Sequence, residues 1–158
     1  MLIDKSAEYH AKQQLSRQWR DFLSALGAEF NAQHDREDLR RLMLRIGTRF
    51  ANGCDVSQCT TLADLQRCVN RFWLDINWGW VELEESADFL DIQHRCSPLL
   101  CSFGDACSGW TPAFLEGVYQ HWFEVAGIDP RLRVQQVASL DAGNLLVFKL
   151  ATYKERTS

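Results

Sequence analysis

The sequence predicts an α+β fold, with a mostly helical N-terminal half and antiparallel strands in the C-terminal half packed against helices. Three observations carry this. Apolar residues recur at helical spacing in three successive segments between Leu15 and Ile76. After Asn77 the period drops to two. Two further extended runs, 132–139 and 144–152, flank the turn sequence Asp141-Ala142-Gly143. Helices followed by a hairpin, a helix and a second hairpin build one antiparallel sheet covered on one side.

Each element has its own signal. Leu15, Trp19, Phe22, Leu23, Leu26 and Phe30 make the stripe of the first helix, which Gly27 weakens without stopping. Asp35 is placed to cap a second helix, with Asp38 in its first turn beside the positive dipole end. Leu39, Leu42, Met43, Ile46 and Phe50 form its stripe, and Asn52-Gly53 ends it. Thr61 with Asp64 three residues on resembles a capping box, with Asp where Glu or Gln is usual. The third helix then carries Leu62, Leu65, Cys68, Val69, Phe72 and Ile76. Trp73 follows Phe72 directly, so this apolar face is wider than a stripe and predicts burial on more than one side, hence oligomerisation. Trp78, Trp80 and Glu82 alternate with Gly79, Val81 and Leu83, which places both tryptophans on one strand face. A second extended piece spans 89–93. Residues 95–109 are rich in Cys, Ser and Gly and read as a loop. Thr111 caps and Pro112 opens the next helix, lined by Phe114, Leu115, Val118, Tyr119, Trp122 and Phe123 and stopped by Gly127.

The 158 residues fit a single domain, 1–158. A chain of this size buries roughly 70% of its unfolded surface and folds without disulfide or metal. The net charge of −4 argues against nucleic acid as a partner, because phosphate binding calls for a basic face. No apolar run approaches the roughly 20 residues of a membrane span, which argues against direct membrane insertion. The start, MLIDKSAEYHAKQQL, lacks the apolar core of a secretory signal, so a cytoplasmic location is expected. The six cysteines are Cys54, Cys59, Cys68, Cys96, Cys101 and Cys107. Two loose groups, Cys54-x4-Cys59 and His94-x-Cys96-x4-Cys101-x5-Cys107, invite a metal reading. Structural zinc favours a tight Cys-x2-4-Cys knuckle in each half, and no Cys-x-x-Cys occurs. Reduced loop or core thiols are the expectation, Cys68 being a small buried hydrophobe, with no metal and no cofactor.

Catalytic constellations are thin. His10, His34, His94 and His121 share no motif, and neither a phosphate loop nor a nucleophile elbow is present. Glu82, Glu84, Glu85, Asp88 and Asp91 could suggest a glycosidase, which needs two carboxylates facing across a cleft with separated pKa values. A solvated strand face and its turn account for them more simply. The six tryptophans are many for the length. Trp19 and Trp122 fit core or a subunit interface, because aromatic enrichment marks protein–protein contacts as well as interiors. Trp78 and Trp80 are either packed or a stacking surface for a flat ligand such as a sugar ring, and Gly79 allows close approach at their junction.

Ile76-Asn-Trp-Gly-Trp-Val-Glu-Leu83, followed by Trp110-Thr-Pro-Ala-Phe-Leu-Glu-Gly-Val-Tyr-Gln-His-Trp122, resembles the D subunit of bacterial cellulose synthase. The likeness covers most of the chain, while the cysteine segment Cys96 to Cys107 has no counterpart in it. The resemblance implies an accessory protein that is not the polymerase: a cylindrical homo-octamer, a ring of dimers, that guides or organises export of nascent β-1,4-glucan. It implies the cellulose synthase complex and a proline-rich accessory protein as partners. The cytoplasmic side is expected, with a periplasmic placement as the alternative. Trp78, Gly79, Trp80, Trp110, Tyr119 and Trp122 then become structural or interface residues. The glucan passage falls to the N-terminal region, where Lys5, Ser6 and Glu8 could hydrogen-bond sugar hydroxyls.

A competing reading comes from another class. Leu115-Glu116-Gly117 on a helix before a two-strand tail is also similar to small hydrophobic-ligand-binding domains of the vinyl-reductase and vesicle-tethering type, although the tail AGNLLVFKL carries no cysteine.

Overall fold

The computed structural model describes residues 15–152. Lys5, Ser6 and Glu8 lie outside these residues. The elements are α1 (Arg17–Gln33), α2 (Arg36–Phe50), α3 (Leu62–Asp75), β1 (Trp80–Glu85), β2 (Leu90–Arg95), α4 (Leu99–Phe103), α5 (Ala113–Val125), β3 (Leu132–Leu140) and β4 (Leu145–Thr152). Single 3-10 turns occupy Ala51–Gly53, Asp105–Cys107 and Asp141–Gly143. The α+β expectation holds, with helices first and a four-stranded antiparallel sheet in the second half.

The sheet order is β1-β2-β4-β3, so the two hairpins meet through their second strands. The register places Val81 beside His94 and His94 beside Leu146, then Leu83 beside Ile92 and Ile92 beside Phe148. Strand alternation sends this set to one face. All but the half-buried Leu83 are fully buried, and they meet Trp73 and Val69 of α3 and Leu115, Tyr119, Trp122 and Phe123 of α5 in one core. β3 carries a bulge at Val137, between Gln136 and Ala138.

Both sheet edges are closed by helix side chains. On β1, Val81 N–H donates to Asn70 Oδ1 (2.7 Å), Asn70 Nδ2 donates to the Val81 carbonyl (2.9 Å), and Leu83 N–H donates to Gln66 Oε1 (2.9 Å). On β3, Val134 N–H donates to Gln120 Oε1 (2.8 Å), Gln120 Nε2 donates to the Leu132 carbonyl (3.0 Å), and Gln136 N–H donates to Glu116 Oε1 (2.9 Å). Each helix uses a pair spaced i, i+4, which lies on one helix face. Edge strands are otherwise templates for another chain, and these pairs occupy the donors such a chain would take.

Helix ends show where local signals hold and where they do not. Thr61 Oγ1 accepts from Asp64 N–H (3.0 Å), while the Asp64 carboxylate turns to Thr60 Oγ1 (3.1 Å), so only half of the capping box forms. Asp35 sits at the N-cap of α2 in extended backbone, but its side chain makes no cap bond. Thr111 does not cap α5. Its hydroxyl donates back to the Cys107 carbonyl (3.0 Å), and Pro112 holds the N-cap position. α5 ends in a Schellman motif: Ile128 N–H reaches the Phe123 carbonyl (2.9 Å) and Gly127 N–H the Glu124 carbonyl (3.1 Å).

Further expectations are corrected. Residues 95–109 contain α4 and a 3-10 turn, and Ser97, Leu99, Ser102 and Cys107 are buried. The wide Phe72–Trp73 face is used inside the protomer: Trp73 is fully buried, and Phe72 lies edge-on to Trp122 at 5.8 Å. It therefore gives no reason for a second copy. Trp19 is not core within the chain. It is 55% exposed, as is Phe22, and the two rings meet edge-on at 5.6 Å. The second half of the same stripe is seated, with Gly27 and Phe30 against Phe103, Cys107 and Trp110. Ile76, expected on the α3 stripe, lies past the helix end and is exposed.

Candidate functional site

Nearly every residue of the segment 115–122 is committed to a structural contact. Leu115 is fully buried. Glu116 forms a buried ion pair with Arg40 of α2 (Nη2–Oε1, 2.7 Å), and the same carboxylate oxygen accepts from Gln136 N–H. Arg40 Nη1 and Arg36 Nε both donate to the Gly109 carbonyl, at 3.1 and 3.2 Å. Gly117 lets α2 and α5 touch backbone to backbone: a Cβ there would stand 2.1 Å from the Leu44 carbonyl oxygen. Gly47 does the same from α2, its notional Cβ 2.0 Å from the Phe114 carbonyl oxygen. Trp122 Nε1 donates to the Ala51 carbonyl (2.9 Å), which fixes the turn after α2.

Tyr119 centres a polar chain sealed inside aromatic walls. Trp73 Nε1 donates to Tyr119 Oη (3.1 Å), Tyr119 Oη meets His94 Nδ1 (2.5 Å), and His94 Nε2 meets the Trp78 carbonyl (2.7 Å). A carbonyl only accepts, so His94 carries its proton on Nε2, and Nδ1 accepts from the tyrosine hydroxyl. The Trp73 indole lies edge-on to the imidazole at 4.9 Å. Burial holds the His94 imidazole down, to about 4, and pushes the Tyr119 phenol well above its usual range. With both ring nitrogens occupied and the ring fully buried, His94 is locked neutral and serves as a structural linker between α5 and the Trp78 turn. Its only sequence signal is one histidine at an inward strand position.

This predicts acid lability. The folded-state value of about 4 lies below the free imidazole value of about 6.5, so the unfolded chain takes up the proton first. Stability is full above pH 6.5, falls as pH drops from 6.5 to 4, and the total loss from this group is on the order of 3 kcal/mol. Urea midpoints measured between pH 7 and 4.5 check this. His94→Gln is expected to be less stable at neutral pH but to show a flatter profile across that window.

The Trp78-Gly79-Trp80 junction splits its two rings. Asn77 and Gly79 both adopt positive φ, 60° and 76°. The strand starts only at Trp80, so alternation does not extend back to Trp78. Trp78 turns inward, stacked on Trp73 at 5.6 Å and close to Phe50 and Phe114. Trp80 points outward and is 38% exposed. A Cβ on Gly79 would fall 1.8 Å from the Arg95 carbonyl oxygen, so glycine is required by close approach as well as by φ. Trp110 is buried, with its Nε1 on Asn31 Oδ1 of α1 (3.2 Å), and ties the seated half of α1 to the start of α5.

Among the described residues, no group of His, Cys, Asp and Glu is arranged to hold a metal ion. Cys54 and Cys68 touch (Sγ–Sγ 3.8 Å), and Cys54 is pushed up to about 12, first by burial and then by its thiol neighbour. This makes Cys54 a poor nucleophile at neutral pH. Glu82 and Glu84 sit on the outward face of β1, Glu82 beside Arg95 at 3.7 Å and Glu84 opposite Asp91 on β2, so these carboxylates stand side by side on one sheet face rather than across a cleft. A groove of about 510 Å³ opens at the opposite end of the sheet. Its apolar floor includes Leu62, Leu65, Ile128 and Leu150, and Thr60, Ser86 and Asp88 stand on its rim.

Comparison with known proteins adds to this geometry. A family model for the D subunit of cellulose synthase matches residues 5–149. Proteins named cellulose synthase operon protein D are similar to the chain. One from Komagataeibacter xylinus and one from Komagataeibacter sucrofermentans are each 32% identical over 103 residues, and another from Komagataeibacter xylinus is 33% identical over the same length. The matched part is 64% of this chain and 66% of each relative, just under two thirds of their length.

Proposed function

The chain belongs to the family of cellulose synthase D subunits, and on that premise we propose that it is a non-catalytic accessory member of a bacterial cellulose synthase complex. In this reading it assembles as a closed homo-octamer, a ring of dimers, and guides the export of nascent β-1,4-glucan so that chains crystallise in order. The observation that carries the assembly is α1. Its apolar stripe is seated along the C-terminal half and, among the described residues, uncovered along the N-terminal half, where Trp19 and Phe22 stand 55% exposed beside one another. Covering such a pair with the same surface of a second copy buries aromatic area at little entropic cost, which is the self-complementary contact of a two-fold interface. The capped sheet edges direct association to helix faces rather than strand addition.

Several features support the rest of the reading. The buried ionisable groups Arg40, Glu116, His94 and Tyr119 satisfy one another or the backbone, which leaves them no reactive role. No described helix is long and apolar enough to cross a membrane. We place the protein on the cytoplasmic side of the synthase, a periplasmic site being the alternative, with a proline-rich accessory protein as a further partner. Lys5, Ser6 and Glu8, which precede α1 in sequence, are the residues proposed to meet the glucan.

The test is the double variant Trp19→Glu/Phe22→Glu. Both positions are exposed, so the protomer's own stability is expected to change by no more than about 0.5 kcal/mol each. The assembly mass by light scattering is expected to drop to smaller species. An unchanged mass would remove α1 from the interface.

One observation favours a second reading. The groove of about 510 Å³, apolar at its floor and polar at its rim, has the size and lining of a small-ligand site. Native mass spectrometry separates the two: a dimer carrying a lipid-like mass supports ligand binding, and an empty octamer supports the assembly.

A further inference from the structure

We propose that the outer face of the sheet around Trp80 is a stacking platform for a β-1,4-linked pyranose chain. This rests on the cellulose reading, and it places a glucan contact on folded surface distant in sequence from the N-terminal segment. The strand register lays the platform out. Trp80 of β1 stands opposite Arg95 of β2, and the next outward pair is Glu82 opposite Gln93. The inward residues between them, Val81 and His94, are fully buried, so this outward set is backed directly by the core. Arg95 Nε reaches Glu82 Oε1 at 3.7 Å, and Gln93 Nε2 donates to Asp91 Oδ2 at 2.8 Å.

The chemistry matches one kind of ligand. A β-linked pyranose presents flat faces of C–H groups and a rim of equatorial hydroxyls that both donate and accept. The indole face of Trp80 suits the C–H surface. Around it stand a guanidinium with donors only, a carboxylate with acceptors only and an amide with both, all lying along the sheet surface where a hydroxyl rim would fall. Charge points the same way. Beside the indole, Arg95 is answered by Glu82 and Gln93 is neutral, and farther along Glu84 and Asp91 stand beside Lys149, which stacks on the Phe89 ring at 4.0 Å. A face with no excess of positive charge offers little to nucleic acid or anionic lipid, and the paired charges beside the indole suit an uncharged polyol.

The junction also prepares the ring in advance. Gly79 lets the backbone close on the Arg95 carbonyl, which fixes the start of β1 against β2 beneath the indole. An aromatic on a fixed backbone loses little freedom on binding beyond its own two side-chain torsions, and this counts for a weak, repeatable contact with a moving chain. The Asn70 and Gln66 side chains already occupy the β1 edge, so the ring is not shielded by an added strand.

The experiment uses the full chain and cellohexaose, followed by intrinsic tryptophan fluorescence and titration calorimetry, with maltohexaose as the α-linked control. Wild type is expected to bind cellohexaose in preference to maltohexaose. Trp80→Ala is expected to weaken that binding about tenfold, with unchanged assembly mass and urea midpoint, while Trp80→Phe keeps part of it. Absence of cellohexaose binding by wild type, or binding that Trp80→Ala leaves intact, overturns the proposal. A fall in assembly mass caused by Trp80→Ala overturns it too, because it would make this face a contact between copies. The Trp19→Glu/Phe22→Glu variant keeps the two readings apart. If it binds cellohexaose like wild type but is smaller, the platform stands by itself. If wild type is never assembled yet binds through Trp80, only the octamer fails.

Discussion

Trp122→Ala is expected to destabilise the protein by about 3–5 kcal/mol. The side chain is 1% exposed, and its ring lies 5.3 Å from Trp73, 5.6 Å from Tyr119 and 5.8 Å from Phe72. Truncation leaves a cavity bounded by three other rings, each held elsewhere: Trp73 and Tyr119 by their mutual hydrogen bond, Phe72 by Phe50. A site whose walls cannot collapse sits at the upper end of the cavity range. The variant also removes one of the two hydrogen bonds at the buried Ala51 carbonyl, which loses the indole N–H and keeps only the 3.2 Å bond from Cys54 N–H. Trp122→Phe separates the two contributions by restoring much of the volume without the donor, and is expected to recover more than half of the loss. Urea or thermal unfolding followed by circular dichroism reads both.

Gly117→Ala is the second large effect, expected to cost about 3 kcal/mol or more. The added methyl would stand 2.1 Å from the Leu44 carbonyl oxygen and 2.9 Å from its carbon. Both are backbone atoms of a regular helix and cannot yield by changing rotamer. α2 and α5 must part, and that movement also strains the Arg40–Glu116 ion pair, which bridges the same two helices. Gly47→Ala obstructs the same crossing from the other side, so the double variant is expected to cost less than the sum of the singles. Gly53→Ala is the contrasting case. Its new methyl would meet only the Phe72 ring edge, at 3.3 Å, and a change within about 1 kcal/mol is expected.

These two residues explain how the fold was legible in the sequence. Trp122 and Gly117 belong to the segment whose periodicity marked α5 and whose wording marked the family, and the two signals have one cause: a helix buried at every position from Ala113 to Tyr119 needs a specific residue at each of them. The helix and strand periods of 17–33, 36–50, 62–75 and 132–152 followed from burial on one face. What periodicity cannot say is what covers that face. The stripe of α1 reads the same whether Trp19 meets its own chain or another, and only the fold shows Trp19 and Phe22 more than half exposed. Short elements were missed for a related reason. A five-residue helix such as α4 has too few turns to show a period, and its Cys and Ser content read as loop.

The candidate site was less legible. Alternation placed Trp78 and Trp80 together because it assumes a strand from the first aromatic onward. Positive φ at Asn77 and Gly79 delays the strand and turns the two rings apart. The linking role of His94 and the edge-closing roles of Gln66, Asn70, Glu116 and Gln120 were invisible for another reason. Each is a single polar residue on an otherwise ordinary element, and its role depends on a partner 11 to 25 residues away. A polar pair spaced i, i+4 on a helix that flanks an edge strand is the one sequence cue that could have found the edge pairs.

The mass of the purified wild-type chain in solution, by light scattering across a dilution series, tests the central claim most directly. A closed species of eight 18.2 kDa protomers is expected, persisting on dilution and breaking down when Trp19 and Phe22 are both replaced by Glu. A wild-type chain that stays monomeric at micromolar concentration would contradict it.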